Sequence, residues 1–199
     1  MDPPPVERQL PIWDRPIPGA GRAPLVWLLA AGGGVGVSTL AQVLAPAADA
    51  GARWPGGFGK ESPFVVLVAR ETITGLTRAH DALRQHHAGL AGSSEVLGLL
   101  TVAARPGRLP AEIRRYRELV ASLTPRLWHL PWYEEWTLVA PEQLPVWTPG
   151  AAPVVRRRKV DPLAEVPVEV CELGEQFVAA AREVLEDSAG SYGPRVLQE

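Results

Sequence analysis

Residues 23–48 carry no charged side chain, and the stretch LVWLLAAGGGVGVSTLAQVL at 25–44 lies inside them. As one helix such a run would be long enough to span a bilayer. Glycines 32, 33, 34 and 36 interrupt its middle, however, and Pro46 falls near its end. These residues divide the run into a buried strand and a short helix over 38–44, joined by a glycine turn. No membrane span is predicted. A strand that is apolar at every position needs both faces covered, which in an α/β protein means helices on either side of a parallel sheet.

The rest of the chain repeats this rhythm. PFVVLVAR (63–70), EVLGLLTVAA (95–104) and PRLWHLPW (125–132) read as further buried strands. Between them, Ile73 to His87 places Ile73, Leu76, Ala79, His80 and Leu83 on one helical face. Pro110 to Leu123 does the same with Ile113, Tyr116, Leu119, Val120 and Leu123. The predicted fold is α/β: a mostly parallel sheet flanked by helices over 25–148. A proline-rich segment at 1–24, expected as a mobile tail, precedes it, a linker follows at 149–170, and an amphipathic helix at 171–188 ends in a flexible tail at 189–199. Trp13 in the N-terminal segment reads as a surface anchor or, alternatively, as a short motif for a partner.

With 46% apolar residues, 199 positions suffice for one core. A net charge of −2 gives no bulk basic field, so nucleic acid is not an expected partner on charge alone. The basic cluster Arg156, Arg157, Arg158 and Lys159 could touch phosphates, but Asp161, Glu165 and Glu169 follow it closely, as in a solvated segment. Cys171 is the only cysteine, which excludes an internal disulfide and a cysteine-built metal site, and the opening MDPPPVERQ lacks the basic start and apolar core of a secretory signal. A cytoplasmic location is expected. His86, His87 and His80 lack the companions that zinc spacing demands and read as helix-end histidines.

The glycine turn carries the chemistry. Phosphate loops work through backbone N–H groups turned toward an anion at a helix start, a lysine on the phosphates, and a Ser or Thr hydroxyl on magnesium. Against the pattern G-x-x-x-x-G-K-[ST] the chain reads Ala31-Gly32-Gly33-Gly34-Val35-Gly36-Val37-Ser38: the backbone parts are present and the lysine is not.

Residues 32–39 resemble the deviant motif K-G-G-V-G-K-[ST]-T of the ParA and MinD family of P-loop ATPases. Gly33, Gly34, Val35, Gly36 and Thr39 agree, Ser38 is an allowed variant, and Gly32 and Val37 replace the family's two lysines. FVVLVARETITGLTRAHDALRQ followed by EVLGLLTVAA is similar to the later half of that fold, so the resemblance covers about residues 25–135, and the ordering is similar to that of a small actinobacterial group with degenerate loops. The resemblance implies partitioning, positioning or mobile-element machinery as the setting, another protein as partner, and homodimers that meet across the nucleotide face. The family's switch aspartates would precede residue 63. Only PAADAGARWPGGFGKES (46–62) fills that space, and its acids Asp49 and Glu61 follow no recognisable buried strand that would aim them at the loop.

Loss of the lysine and of both acids removes the groups that position and neutralise a transferring phosphoryl, so independent ATP hydrolysis is not expected. Two readings of the loop remain. In one, Gly33 to Thr39 still bind ATP with magnesium, with Arg70, Arg105 or Arg108 supplying the lost charge. In the other, the turn is kept only to join strand to helix, and the protein works by binding a partner. Trp132, Tyr133 and Trp136, clustered in LWHLPWYEEWTL, are the candidate interface residues.

Overall fold

A computed structural model describes residues 1–18, 23–151 and 161–190. The basic cluster 156–159 lies outside the described residues. Five strands form one parallel sheet: β1 (Val26–Ala30), β2 (Ala47–Gly51), β3 (Phe64–Arg70), β4 (Glu95–Val102) and β5 (Leu127–Leu130), in the order β2-β1-β3-β4-β5. The helices are α1 (Val37–Val43), α2 (Ile73–His87), α3 (Ala111–Ala121) and α4 (Val168–Gly190). The α/β class expected from the buried strands is the one observed.

Each central strand is buried along both faces because successive side chains enter different cores. Val26, Leu28 and Ala30 join Val66, Val68 and Leu100 beneath α1 and α4. Trp27, Leu29 and Ala31 join Val65, Leu67 and Leu99 beneath α2. Gly98 lets the indole of Trp128 lie against β4, where a Cβ would collide with that ring. Trp128 in turn meets Phe177 of α4 edge-on, with ring centroids 5.0 Å apart. Gly174 serves Trp147 in the same way. The terminal helix is therefore a wall of the core, as its apolar stripe of Leu173, Phe177 and Ala181 requires.

Two segments differ from the sequence expectation. Ala47–Gly51 was not foreseen as a strand, since Ala-Ala-Asp-Ala-Gly has little intrinsic strand preference. Tertiary pairing makes it one: Val26, Trp27 and Leu28 of β1 register with Ala47, Ala48 and Asp49. The N-terminal segment, expected as a mobile tail, is bonded to the domain over residues 2–17. Asp81 and Gln85 are buried on α2 and need polar partners. Arg8 pairs with Asp81 at 2.5 Å, and Gln85 both accepts from the Leu10 N–H and donates to its carbonyl. Trp13 donates to the Ala50 carbonyl at 3.0 Å, which gives it the role of an anchor.

The packing of α4 predicts a contrast along one helix. Phe177→Ala is expected to cost about 3–5 kcal/mol in urea unfolding, whereas Leu185→Ala, at a position 54% exposed, is expected to stay within about 0.5 kcal/mol of the natural protein. Equal losses would contradict the packing.

Candidate functional site

The sheet order reverses direction at β1: the chain moves from β1 outward to β2, then returns to the far side of β1 for β3. In open parallel sheets such a switch point opens a crevice beyond the carboxyl ends of the strands. The glycine loop occupies that place. Gly34 and Gly36 take φ of 69° and 89°, in the left-handed region where a side chain is strained, and so fold the chain tightly from β1 into α1. Val35 and Val37 are buried in the core and pin the loop, while Gly33, Gly34 and Ser38 are exposed. Gly36 caps the helix without a side-chain hydrogen bond. The first helical amide bond runs from Leu40 to Gly36, and among the described residues the N–H groups of Val37, Ser38 and Thr39 have no backbone acceptor.

Charge reaches this loop from its neighbours. Arg70, the last residue of β3, donates from its guanidinium to the Gly34 carbonyl. Arg78 of α2 lies over Gly32, where an added Cβ would meet its guanidinium and side-chain stem. On the other side, Asp49 of β2 is directed at the loop: the Ser38 hydroxyl donates to Oδ2 at 2.6 Å, and the Gly51 N–H donates to Oδ1 at 2.6 Å. This corrects the expectation that Asp49 follows no strand aimed at the loop. The strand is β2, and its pairing with β1 carries the carboxylate to Ser38. Thr39 is half-buried in the first turn of α1.

The remaining candidates separate. Arg105 and Arg108 do not join Arg70. They line a different cavity of about 440 Å³ at the ends of β4 and β5, together with Trp132. Tyr133 and Trp136 stack on each other with centroids 4.7 Å apart, and the Trp136 indole donates to the Pro162 carbonyl at 3.2 Å. His86 stacks on Trp54, and its Nε2 lies 3.1 Å from the Ser94 carbonyl; His87 Nε2 lies 2.7 Å from the Leu123 carbonyl. Both histidines are used in holding helix ends and loops.

A polar cluster missed in the sequence borders the second cavity. Glu71, 4% exposed, accepts from Arg117 Nη1 at 2.7 Å and lies 3.2 Å from His129 Nδ1. Burial raises its carboxyl pKa, but the hydrogen bonds from His129 and Arg117 outweigh that and hold it below its ordinary value of 4.5. Nothing in the spacing of positions 71, 117 and 129 marks them as partners, because only the sheet order brings the end of β3 beside β5 and α3.

The family model of DUF6668, a family of unknown function, matches residues 24–155. The chain belongs to that family. The DUF6668 region holds all five strands, the glycine loop and the second cavity, whereas α4 and the N-terminal arm lie outside it and pack on it. No curated protein and no solved structure matches the chain. Among its described residues no helix is long and apolar enough to cross a membrane.

A carboxyl whose pKa is lowered by folding contributes stability that is complete above its unfolded value and is lost as pH falls through its folded one. Glu71→Gln is therefore expected to cost about 1–3 kcal/mol at pH 7. Its difference from the natural protein should shrink below pH 4.5. Urea unfolding at several pH values reads this, and a pH-independent difference would contradict the ionised Glu71.

Proposed function

We propose that this DUF6668 chain is a degenerate ParA/MinD-like P-loop protein that does not turn over ATP and acts as a regulatory component, its glycine loop still taking the phosphates of a nucleotide. The observation that carries this reading is the Ser38–Asp49 pair at 2.6 Å beside a loop that Arg70 also reaches. In P-loop proteins the hydroxyl at the helix start and a strand-borne aspartate hold magnesium, and a basic side chain holds the terminal phosphates. Here the hydroxyl and the acid are present, and guanidinium replaces ammonium.

Ser38 Oγ and the Asp49 carboxylate are hard oxygen donors of the kind magnesium takes, alongside phosphate oxygens and water. When bound, the ion would neutralise phosphate charge. The chain's own part is to supply amide donors at Val37 to Thr39, to orient Ser38 through Asp49, and to add the charge of Arg70 and Arg78. Arg70 now donates to the Gly34 carbonyl. A phosphate would compete for that donor, so binding and a change in the loop are coupled.

Hydrolysis needs more than this. No lysine stands at 32 or 37, and Val37 is packed in the core. Regulation by occupancy, with another protein as the reader, suits a loop that can hold phosphate without the lysines that drive its transfer. Partitioning, positioning or mobile-element machinery in the cytoplasm is the setting that the ParA/MinD likeness supports.

Calorimetric titration with ATP and ADP tests the reading. The natural protein is expected to bind in the micromolar range with magnesium, Arg70→Ala to bind about tenfold or more weakly, and Ser38→Ala and Asp49→Asn to lose the magnesium dependence. Phosphate release should not rise above the uncatalysed rate. No binding by the natural protein would overturn the proposal and leave the glycine turn as a corner that Val35 and Val37 tie to the core.

A further inference from the structure

The second cavity stands apart from the glycine loop. None of residues 32–39 lines it; its walls come from the end of β3, the connection from β4 to α3, and the end of β5. Its volume, about 440 Å³, falls in the range of small-molecule sites. Like the loop, it opens at the carboxyl ends of parallel strands.

The charges around it do not balance. Glu71 is the one carboxylate in the lining, and it is occupied by Arg117 and His129. Arg105 and Arg108, separated by Pro106 and Gly107, both line the same space, and Gly107 takes a φ of 96° in the turn that joins them. Among the described residues neither guanidinium has an ion-pair partner or a hydrogen-bond acceptor. Both guanidiniums are exposed to water, and a concavity that carries two of them with no free acid facing them presents a local positive potential to an anion.

Glu71 also orders a third group. Its contact with His129 Nδ1 fixes the ring, and among the described residues Nε2 has no hydrogen-bond partner; with both ring nitrogens protonated, Nε2 donates to an anion while Nδ1 donates to Glu71. Apolar side chains line the same space: Trp132, Ile113, Leu109 and Pro131. Two forked guanidiniums, joined by His129 as imidazolium, match the charge and the several acceptor oxygens of a phosphate dianion, whereas a single carboxylate would leave one guanidinium unmatched.

We propose that this cavity binds a small organic phosphate monoester, with Arg105, Arg108 and His129 on the phosphate and Trp132 and Ile113 against an apolar or planar body. Arg117 and Glu71 are positioning residues that hold His129 and the wall in place. The site does not depend on nucleotide binding at the glycine loop.

Phenyl phosphate and inorganic phosphate serve as probes, read by amide and indole NMR of the full chain. Phenyl phosphate is expected to shift the Trp132 indole signal with a submillimolar Kd, and inorganic phosphate to act about tenfold more weakly for want of the apolar contacts. The exposed pair Arg105→Gln with Arg108→Gln should keep the spectrum of a folded protein and lose the Trp132 response by about tenfold or more. His129→Gln should give a smaller loss. A Trp132 response that survives in the double variant, a response confined to the Gly33 and Gly34 amides, or none at about 10 mM phenyl phosphate would each overturn the assignment. Because the readout is Trp132 and not the loop amides, its failure is separate from failure of the nucleotide reading.

Discussion

The interior position of β1, between β2 and β3, is the constraint on which the site depends. Its parallel pairing with β2 on one side and β3 on the other places the glycine turn between the ends of two different strands. One strand brings an acid, Asp49, and the other a base, Arg70. Neither residue is near the loop in sequence. Apolar burial on both faces of β1 therefore does more than stabilise: it fixes which side chains can meet at the switch point.

Val37 stands where the motif that the loop resembles has a lysine, and the same geometry gives its side chain a place in the core. Val37 is 8% exposed and belongs to the core beneath α4, and Val35 is anchored beside it. A side chain at 37 thus works for stability, and positive charge comes from outside the loop, through Arg70 and Arg78. Guanidinium groups that arrive from neighbouring elements are suited to holding an anion through directed hydrogen bonds. Phosphoryl transfer asks for more than such anchors: a water-orienting acid and charge-neutralising groups must act together with them as a preorganised set. The second cavity shows the same trait, with arginines gathered at strand ends and one buried carboxylate holding the arrangement.

Much of the fold was legible where apolar pattern and punctuation agree. The helix over Ile73–His87 coincides in both bounds with its periodic stretch, and the four apolar strands lie where continuous hydrophobic runs predict them. The fifth was invisible for a physical reason, because Ala47–Gly51 is a strand only by virtue of its partner. With it went the meaning of Asp49. The N-terminal arm was read from its prolines, yet its placement depends on two buried polar side chains of α2, Asp81 and Gln85, that look like ordinary members of a helical face. At the loop, the positions of Gly33 to Thr39 could be read directly, but the arginine beside them could not be chosen from Arg70, Arg105 and Arg108 without the sheet order. Arg78, Arg117 and His129 had no local signal at all, since each is recruited across the fold.

Phosphate binding at the loop between Asp49 and Arg70, as proposed above, is open to a direct test in a crystal structure of the protein grown with magnesium and ADP. Phosphate oxygens are expected against the amides of Val37 to Thr39, with Ser38 and Asp49 turned toward the ion and the Arg70 guanidinium moved from the Gly34 carbonyl to the phosphate. A loop with no phosphate on it, and Arg70 still bonded to Gly34 while ADP sits elsewhere or nowhere, would contradict it.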